Sequence, residues 1–134
     1  MTPSSVVAYM KERFPDIANI LCNGHVRTDT NQSIGIFLGS DTRSTGKLAI
    51  GGIDCTVVRM LPINIHVHWS ENQIEHDNKA VSIYNKLLTE ENNFIVDGIK
   101  IACIEMLDGC PKPLGRDEKN VCESIIRANF YYYV

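Results

Sequence analysis

Residues 63–72, INIHVHWSEN, join a strand pattern directly to the start of a helix. Apolar and polar residues alternate along the first part of this stretch, and a period of two is typical of a strand with one buried face. His66 and His68 fall on the polar face, which we expect to be solvated or to line an interface. Ser70 is followed three residues later by a glutamine, which predicts a capping box with Ser70 as the N-cap. A helix over about 73–89 should follow.

Both helices predicted in this chain carry an apolar stripe. Thr2 and Pro3 predict the start of the first helix, because proline is well tolerated at the first helical position. Its stripe consists of Val6, Val7, Met10 and Phe14. The stripe of the second helix consists of Ile74, Ala80, Val81, Ile83, Tyr84, Leu87 and Leu88. We expect both stripes to pack on a sheet.

Further strands are indicated on either side of the second helix. The run SIGIFLG at 33–39 alternates in the manner of a strand, and 53–58 forms another β-rich run after the turn signal Gly51-Gly52. Asp97-Gly98 is a strong hairpin signal between two apolar runs. The last residues, 121–134, are rich in β-branched and aromatic side chains and predict a long terminal strand.

Two polar segments interrupt these elements, namely GSDTRSTGK at 39–47 and DGCPKPLGRDEKN at 108–120. Their content of small, polar and turn-forming residues predicts exposed, mobile loops. The first contains Gly39 and Gly46-Lys47, which superficially suggest a phosphate-binding loop. That motif needs four residues between the glycines and a Ser or Thr after the lysine, whereas six intervene and Leu48 follows. Nucleotide binding is therefore not predicted.

The order of these elements predicts a single α+β domain over residues 1–134, with a mostly antiparallel sheet and two main helices packed on one face. The other face of the sheet would then lack a cover. The chain also ends near Tyr131, Tyr132 and Tyr133, which cannot all point inward because alternate side chains face opposite ways. A half-covered sheet of this kind suits a subunit that assembles with copies of itself.

Composition narrows the classes of partner. The net charge of -3 gives no basic surface for stable binding to DNA or RNA. No window approaches the ~20 apolar residues that a membrane span needs, and the first residues lack an export signal, so we expect neither membrane association nor secretion. The five cysteines, an odd number without a C-x-x-C pair, are expected to be reduced and mostly buried.

The histidine pair raises the question of a metal. A zinc site needs at least three protein ligands. Besides His66 and His68, the candidates are Cys22 and His25, with His76 in reserve. Because no spacing typical of zinc sites joins them, we expect no metal, no other cofactor and no catalytic residue, so the protein is not expected to be an enzyme.

Several segments taken together resemble a known family. The strand INIHVHW at 63–69, a helix carrying AVSIYNKLL at 80–88, the loop PKPLGRDEKN at 111–120 and the terminal ESIIRANFYYY at 123–133 follow one another in the chain. In this order and spacing they look like the tail terminators, small minor capsid proteins of long-tailed, siphovirus-like bacteriophages. The likeness spans nearly the whole chain. It departs from the expected pattern at His66 and His68, where Arg or Gln would be expected.

The resemblance implies a structural protein of the virion. Such a protein forms a ring, typically a hexamer, that ends the head-proximal side of the tail tube, stops further polymerisation and joins the tail to the head. Its partners would be the tail tube protein and a head-completion or connector protein, and DNA would pass through the pore without specific binding. It would lie in the tail or neck of the virion, and in the host bacterial cytoplasm during assembly.

Two alternatives remain open, namely another neck component, such as a head-completion or connector protein, and a small metal-dependent hydrolase that uses His66, His68, His25 and Cys22. For the structural role, polar and aromatic residues of the loops and strand faces are the candidate contacts with neighbouring subunits or partners. They are Arg43, Lys47, His66, His68, Arg116, Asp117, Glu118, Tyr131 and Tyr133.

Overall fold

A computed structural model of the chain describes residues 1–39, 57–89 and 94–133. In these ranges helix α1 spans Pro3–Arg13, a short 3-10 helix spans Ala18–Ile20, and helix α2 spans Gln73–Leu88. The strands are β1 (Leu21–Asn23), β2 (Gln32–Leu38), β3 (Val58–Trp69), β4 (Ile95–Val96), β5 (Ile99–Met106), β6 (Lys112–Arg116) and β7 (Cys122–Tyr133). The predicted α+β class is confirmed. The turn at Gly51-Gly52, most of the strand run 53–58 and the loop carrying Arg43 and Lys47 lie outside the described residues.

The strands form one sheet built around a long antiparallel ladder between β3 and β7. The spatial order is β1-β2-β3-β7-β5-β4, and β6 pairs with the first part of β7, beyond the end of its pairing with β5. Only β1 and β2 run parallel among the described pairs. The terminal strand therefore lies near the middle of the sheet, where it joins residues that are distant in the chain.

One face of the sheet is apolar and is covered by both helices. Ile34 and Ile36 on β2 lie beside Val67 and Ile65 on β3, and the same face continues on β7. These side chains join the buried residues of α1 and α2 in one core, which includes Val6, Tyr9, Met10, Ala80, Ile83, Leu87, Ile126, Ala128 and Phe130. The prediction of two helices on one face of a mostly antiparallel sheet is confirmed.

The start of α2 differs from the sequence prediction. The helix begins at Gln73, as expected, but the N-cap is Asn72, whose Oδ1 accepts hydrogen bonds from the backbone N–H groups of Ile74 and Glu75. Ser70 adopts a positive φ of 62° and donates from its Oγ to Glu75 Oε2 instead. Asn, like Ser, accepts well at an N-cap, and the chain must turn sharply between β3 and α2.

The apolar stripe of α2 also differs from the prediction. Ala80, Ile83, Tyr84 and Leu87 face the sheet as predicted. Ile74, Val81 and Leu88 are 71%, 44% and 56% exposed and point away from it. The inward position near the start of the helix is taken by His76, whose Nδ1 lies 3.1 Å from the backbone oxygen of Trp69. A seven-residue spacing places the three exposed residues on one row of the helix, beside the row that faces the core.

The segment 108–120 is not the irregular loop predicted from its composition. It contains β6, which is exposed along its whole length and hydrogen-bonded to β7. Glycine and proline did not exclude a strand here because β6 lies at the edge of the sheet and has an irregular register between Pro113 and Gly115. The Asp97-Gly98 hairpin is confirmed, with φ values of 50° and 75° at its two turn residues.

Cysteine placement agrees with the prediction only in part. All four cysteines in the described part of the chain are free thiols. Cys22 and Cys122 are buried, Cys103 is half-buried and Cys110 is exposed. No helix among the described residues is long and apolar enough to cross a membrane.

Candidate functional site

The face of the sheet that the helices do not cover, which we call the second face, carries a cluster of titratable side chains. The cluster lies near the C-terminal end of β3. His66 and His68 lie on this face of β3, and Glu123 lies directly opposite His68 on β7. Asp117 reaches the cluster from the turn between β6 and β7. Because alternate residues of paired strands share a face, the long ladder alone brings three of these four side chains together.

Two chain segments cover this end of the second face. A Cβ atom at Gly35, beside His66, would lie 2.5 Å from the backbone oxygen of His25, so the segment around residues 25–28 passes directly over the strand. Lys119 Nζ donates to the backbone oxygen of Thr28 at 3.0 Å, which joins that segment to the 117–121 turn. His68 is consequently 0% exposed. The expectation of a solvated or interface-lining polar face is wrong for His68.

A short hydrogen bond links His68 to Asp117. His68 Nε2 lies 2.7 Å from Asp117 Oδ2. The other carboxylate oxygen, Oδ1, accepts from the backbone N–H groups of Lys119 and Val121, each at 2.9 Å. These bonds, above all the one from His68, lower the pKa of Asp117 because they favour its ionised form. The turn therefore presents a fixed carboxylate to a buried imidazole.

The second imidazole, His66, lies beside Glu123. His66 Nε2 is 3.5 Å from Glu123 Oε1, which is too long for an N–H···O hydrogen bond. Among the residues that the structure describes, this buried nitrogen has no hydrogen-bond partner, and the same holds for Nδ1 of His68. Burial lowers the pKa of His66 by disfavouring its charged form, and this effect exceeds the opposing influence of the Glu123 carboxylate. Burial therefore favours the neutral form of the His66 imidazole.

Imidazole and carboxylate groups in this arrangement are the ligand types of a transition-metal site. The potential ligand atoms of His68, Asp117 and Glu123 all lie within 4.8 Å of one another. Of the other candidate ligands considered from the sequence alone, His66 lies beside Glu123, whereas His25 and His76 are not part of this group. His25 is exposed, and His76 is held under Trp69 on the opposite, core side of the sheet. The set required for the predicted alternative of a hydrolase is thus not assembled.

Cys22 was the remaining candidate ligand, and it lies in a separate polar contact. Its buried Sγ is 3.7 Å from the backbone oxygen of Ile20 and 3.9 Å from Ser33 Oγ. Two strand pairings connect it to His66 through Gly35. Cys22 and His66 are therefore two strands apart in the sheet.

The remaining residues predicted to contact partners are spread over two regions. Arg116 is exposed, yet its Nη1 donates to the backbone oxygens of Glu71 and Asn120. Glu118 is exposed in the same turn. At the other end of β7, Tyr131 donates from its Oη to Glu105 Oε2 at 2.8 Å, and Tyr133 is 39% exposed. Arg116 and Asp117 therefore stabilise the subunit itself.

An apolar surface that the sequence did not indicate lies along the outer side of α2. The exposed row of Ile74, Val81 and Leu88 extends over about 21 Å, since each residue of a helix adds about 1.5 Å. Beside Val81, a cavity of about 360 Å³ opens between α2 and the segment that includes Pro111 and Pro113. Leu114, on β6, is 51% exposed. We call the helix row and this proline segment the α2 surface.

The sequence did not identify Asp117 and Glu123, two of the four residues of this cluster, as members of a site. Asp117 was considered only as a partner contact, and Glu123 was not considered at all. Gly35 was an available signal, because a glycine inside a strand often marks the close approach of another backbone. No sequence signal placed Asp117 beside His68, since 48 residues separate them along the chain.

Comparisons of the chain with protein-family models, with curated proteins and with solved structures returned no match.

Proposed function

We propose that this chain is a structural subunit of a phage tail, a tail terminator that assembles into a ring at the head-proximal end of the tail tube. The observation that carries the proposal is the α2 surface, with three large apolar side chains in a row on the outside of a helix. Exposed apolar rows of this kind favour burial against another protein. The occupant we propose is a neighbouring copy of the same chain.

A second apolar region supports a ring rather than a two-fold dimer. Val57, Ile95 and Tyr133 are 68%, 68% and 39% exposed. They lie towards one end of the sheet, because Val57 directly precedes Val58, which pairs with Tyr133, and Lys100 on β5, the partner of Ile95 on β4, lies over the Tyr133 ring. A subunit with two different apolar surfaces can join head to tail, and such contacts close into a ring when the rotation between subunits allows it.

The proposed ring would act by geometry rather than by chemistry. A closed ring on the last layer of the tube occupies the interface to which further tube subunits would add. Its opposite side would bind a head-completion or connector protein. The net charge of -3 per subunit suits a channel through which DNA passes without being held. The protein would lie in the neck of the virion, and in the cytoplasm of the host bacterium during assembly.

Replacing Val81 by aspartate tests the proposed interface. The side chain is exposed, so the folded subunit should persist, while a charge at the centre of the α2 surface should disfavour assembly. Sedimentation velocity and negative-stain images should show rings for the unmodified protein and single subunits for Val81→Asp. Ser82→Asp is the matched control, because it adds the same charge at the next, exposed position and should retain rings. Rings in both variants would contradict this interface.

Deletion of the gene separates the terminator from the alternative neck components. Without a terminator, tube subunits continue to add and tails should exceed their normal length. Without a head-completion or connector protein, tails should keep their normal length and remain detached from heads. Electron micrographs of lysates distinguish the two outcomes. Tails of normal length joined to filled heads would contradict both roles.

A further inference from the structure

The buried cluster on the second face of the sheet is more than a hydrogen-bonded pair. A histidine–carboxylate pair alone would account for His68 and Asp117, which lie 2.7 Å apart. It leaves His66 and Glu123 unexplained, because their facing atoms are 3.5 Å apart and His66 Nε2 is buried without a hydrogen bond to any described residue. Buried polar nitrogens without partners are uncommon in folded proteins. Such an atom next to a carboxylate is suited to binding a cation.

The chain also orients the donor groups. Two backbone N–H groups bind one oxygen of Asp117 and leave the other directed at His68. Glu123 and His68 face each other across the β3–β7 ladder. Partners that fix the direction of a ligand in this way are typical of metal sites, where they raise affinity by holding the ligand in place.

We propose that His68, Asp117 and Glu123, joined by the adjacent His66, bind one divalent transition-metal cation of the Zn²⁺ type. The two imidazoles favour Zn²⁺, Co²⁺ or Ni²⁺ over Mg²⁺ and Ca²⁺, which prefer sites made of oxygen atoms. The bound cation links β3, β7 and the 117–121 turn, so its role is to stabilise the subunit, independently of whether the subunit forms a ring.

The test uses the whole chain, which is first freed of metal with a chelator. It is then titrated with Zn²⁺, Co²⁺ and Mg²⁺ by calorimetry, and its melting temperature is measured as a second readout. We expect one Zn²⁺ per chain and a rise in melting temperature that a chelator reverses, because a cation bound only by the folded state stabilises it. Mg²⁺ should have neither effect. Failure of Zn²⁺ to bind, or binding of Mg²⁺ in its place, would overturn the proposal.

Variants locate the binding site. Glu123→Gln preserves size and removes one negative ligand, and it should weaken Zn²⁺ binding at least about tenfold. Glu118→Gln is the matched control, because Glu118 is an exposed carboxylate in the 117–121 turn and its replacement should leave Zn²⁺ affinity unchanged. Equal affinities in the Glu123→Gln variant and the unmodified protein would place the metal elsewhere and refute the assignment.

The exposed thiol of Cys110 requires its own control, since thiolates bind zinc well. Cys110→Ser should retain one Zn²⁺ per chain with unchanged affinity. The Co²⁺ form should show visible absorption without the near-ultraviolet band that a cobalt–thiolate bond produces. Loss of binding in Cys110→Ser, or the presence of that band, would assign the metal to cysteine and overturn the proposed site.

Discussion

The two faces of β3 are buried in different ways. On one face Ile63, Ile65 and Val67 are each at most 1% exposed beneath the two helices. On the other face His68 is equally buried, but it lies beneath two irregular segments and binds one carboxylate. Apolar side chains gain free energy from any surface that removes them from water, whereas a buried imidazole needs a particular partner at a particular distance. The helix-covered face should therefore tolerate volume-conserving changes, and the histidine face should not.

The largest effect is expected on the helix-covered face. Phe130→Ala removes a fully buried ring from the core and should lower the free energy of unfolding by about 3–5 kcal/mol. Chemical denaturation measures the change. Tyr133→Ala, on the same strand but 39% exposed, should cost much less. Similar losses of unfolding free energy in both variants would show that the helix-covered face is not the main source of stability.

A smaller loss is expected for His68→Ala in metal-free buffer. The substitution leaves a cavity and removes the side-chain partner of Asp117 Oδ2, which should cost about 2–3 kcal/mol. Denaturant unfolding of the two variants His68→Ala and His25→Ala gives the comparison. The exposed His25 should change stability by no more than about 0.5 kcal/mol. A loss for His68→Ala as small as that for His25→Ala would mean that the second face is not specifically packed.

The cover over the second face can be tested at Gly35. A methyl group there would meet the backbone oxygen of His25 at 2.5 Å, so Gly35→Ala should displace the covering segment and cost about 1–2 kcal/mol. Amide exchange should increase at residues 25–28 and at the 117–121 turn. Gly109→Ala, where the added atom meets no atom of a described residue within 4 Å, serves as the control. Unchanged exchange in Gly35→Ala would contradict the close approach.

The smallest effect is expected from an ion pair at the edge of the second face. Arg127 donates two hydrogen bonds to Asp108, and these, together with the nearby Lys112 ammonium, lower the pKa of Asp108 from 3.8 to about 2. Since the folded state lowers this pKa, the contribution is complete above pH 3.8 and is lost as the pH falls through 2. After allowance for solvent screening it is about 1 kcal/mol.

This contribution is measured by denaturant unfolding between pH 5 and pH 2, a range of about three units that includes the lowered pKa of Asp108. The difference in stability between the unmodified protein and Asp108→Asn should shrink as the pH falls. Glu12→Gln, which alters an exposed carboxylate on α1, is the control. A difference that stays constant over this range would show that Asp108 is not stabilised as an ion.

Much of the fold could be predicted because its signals are local. The alternation in INIHVHW, the length of α2 and the turn at Asp97-Gly98 each depend on residues that are neighbours in the chain. The outward row of α2 could not be predicted in the same way. Periodicity shows that residues share a helix face, but it does not say which of two neighbouring rows meets the sheet. His76 occupies an inward position that an apolar residue was expected to take.

The sequence by itself determined the α+β class, the two helices on one face of the sheet and the placement of His66 and His68 side by side on β3. These follow from hydrophobic periodicity and backbone preferences, which act over a few residues. Only the tertiary structure decided that His68 is buried, that Asp117 and Glu123 are its neighbours, and that Ile74, Val81 and Leu88 face outward. Those outcomes depend on the register of β3 with β7 and on the path of two covering segments. The register joins residues 55 to 75 positions apart, and one contact between the covering segments joins residues 91 positions apart, separations that no local pattern specifies.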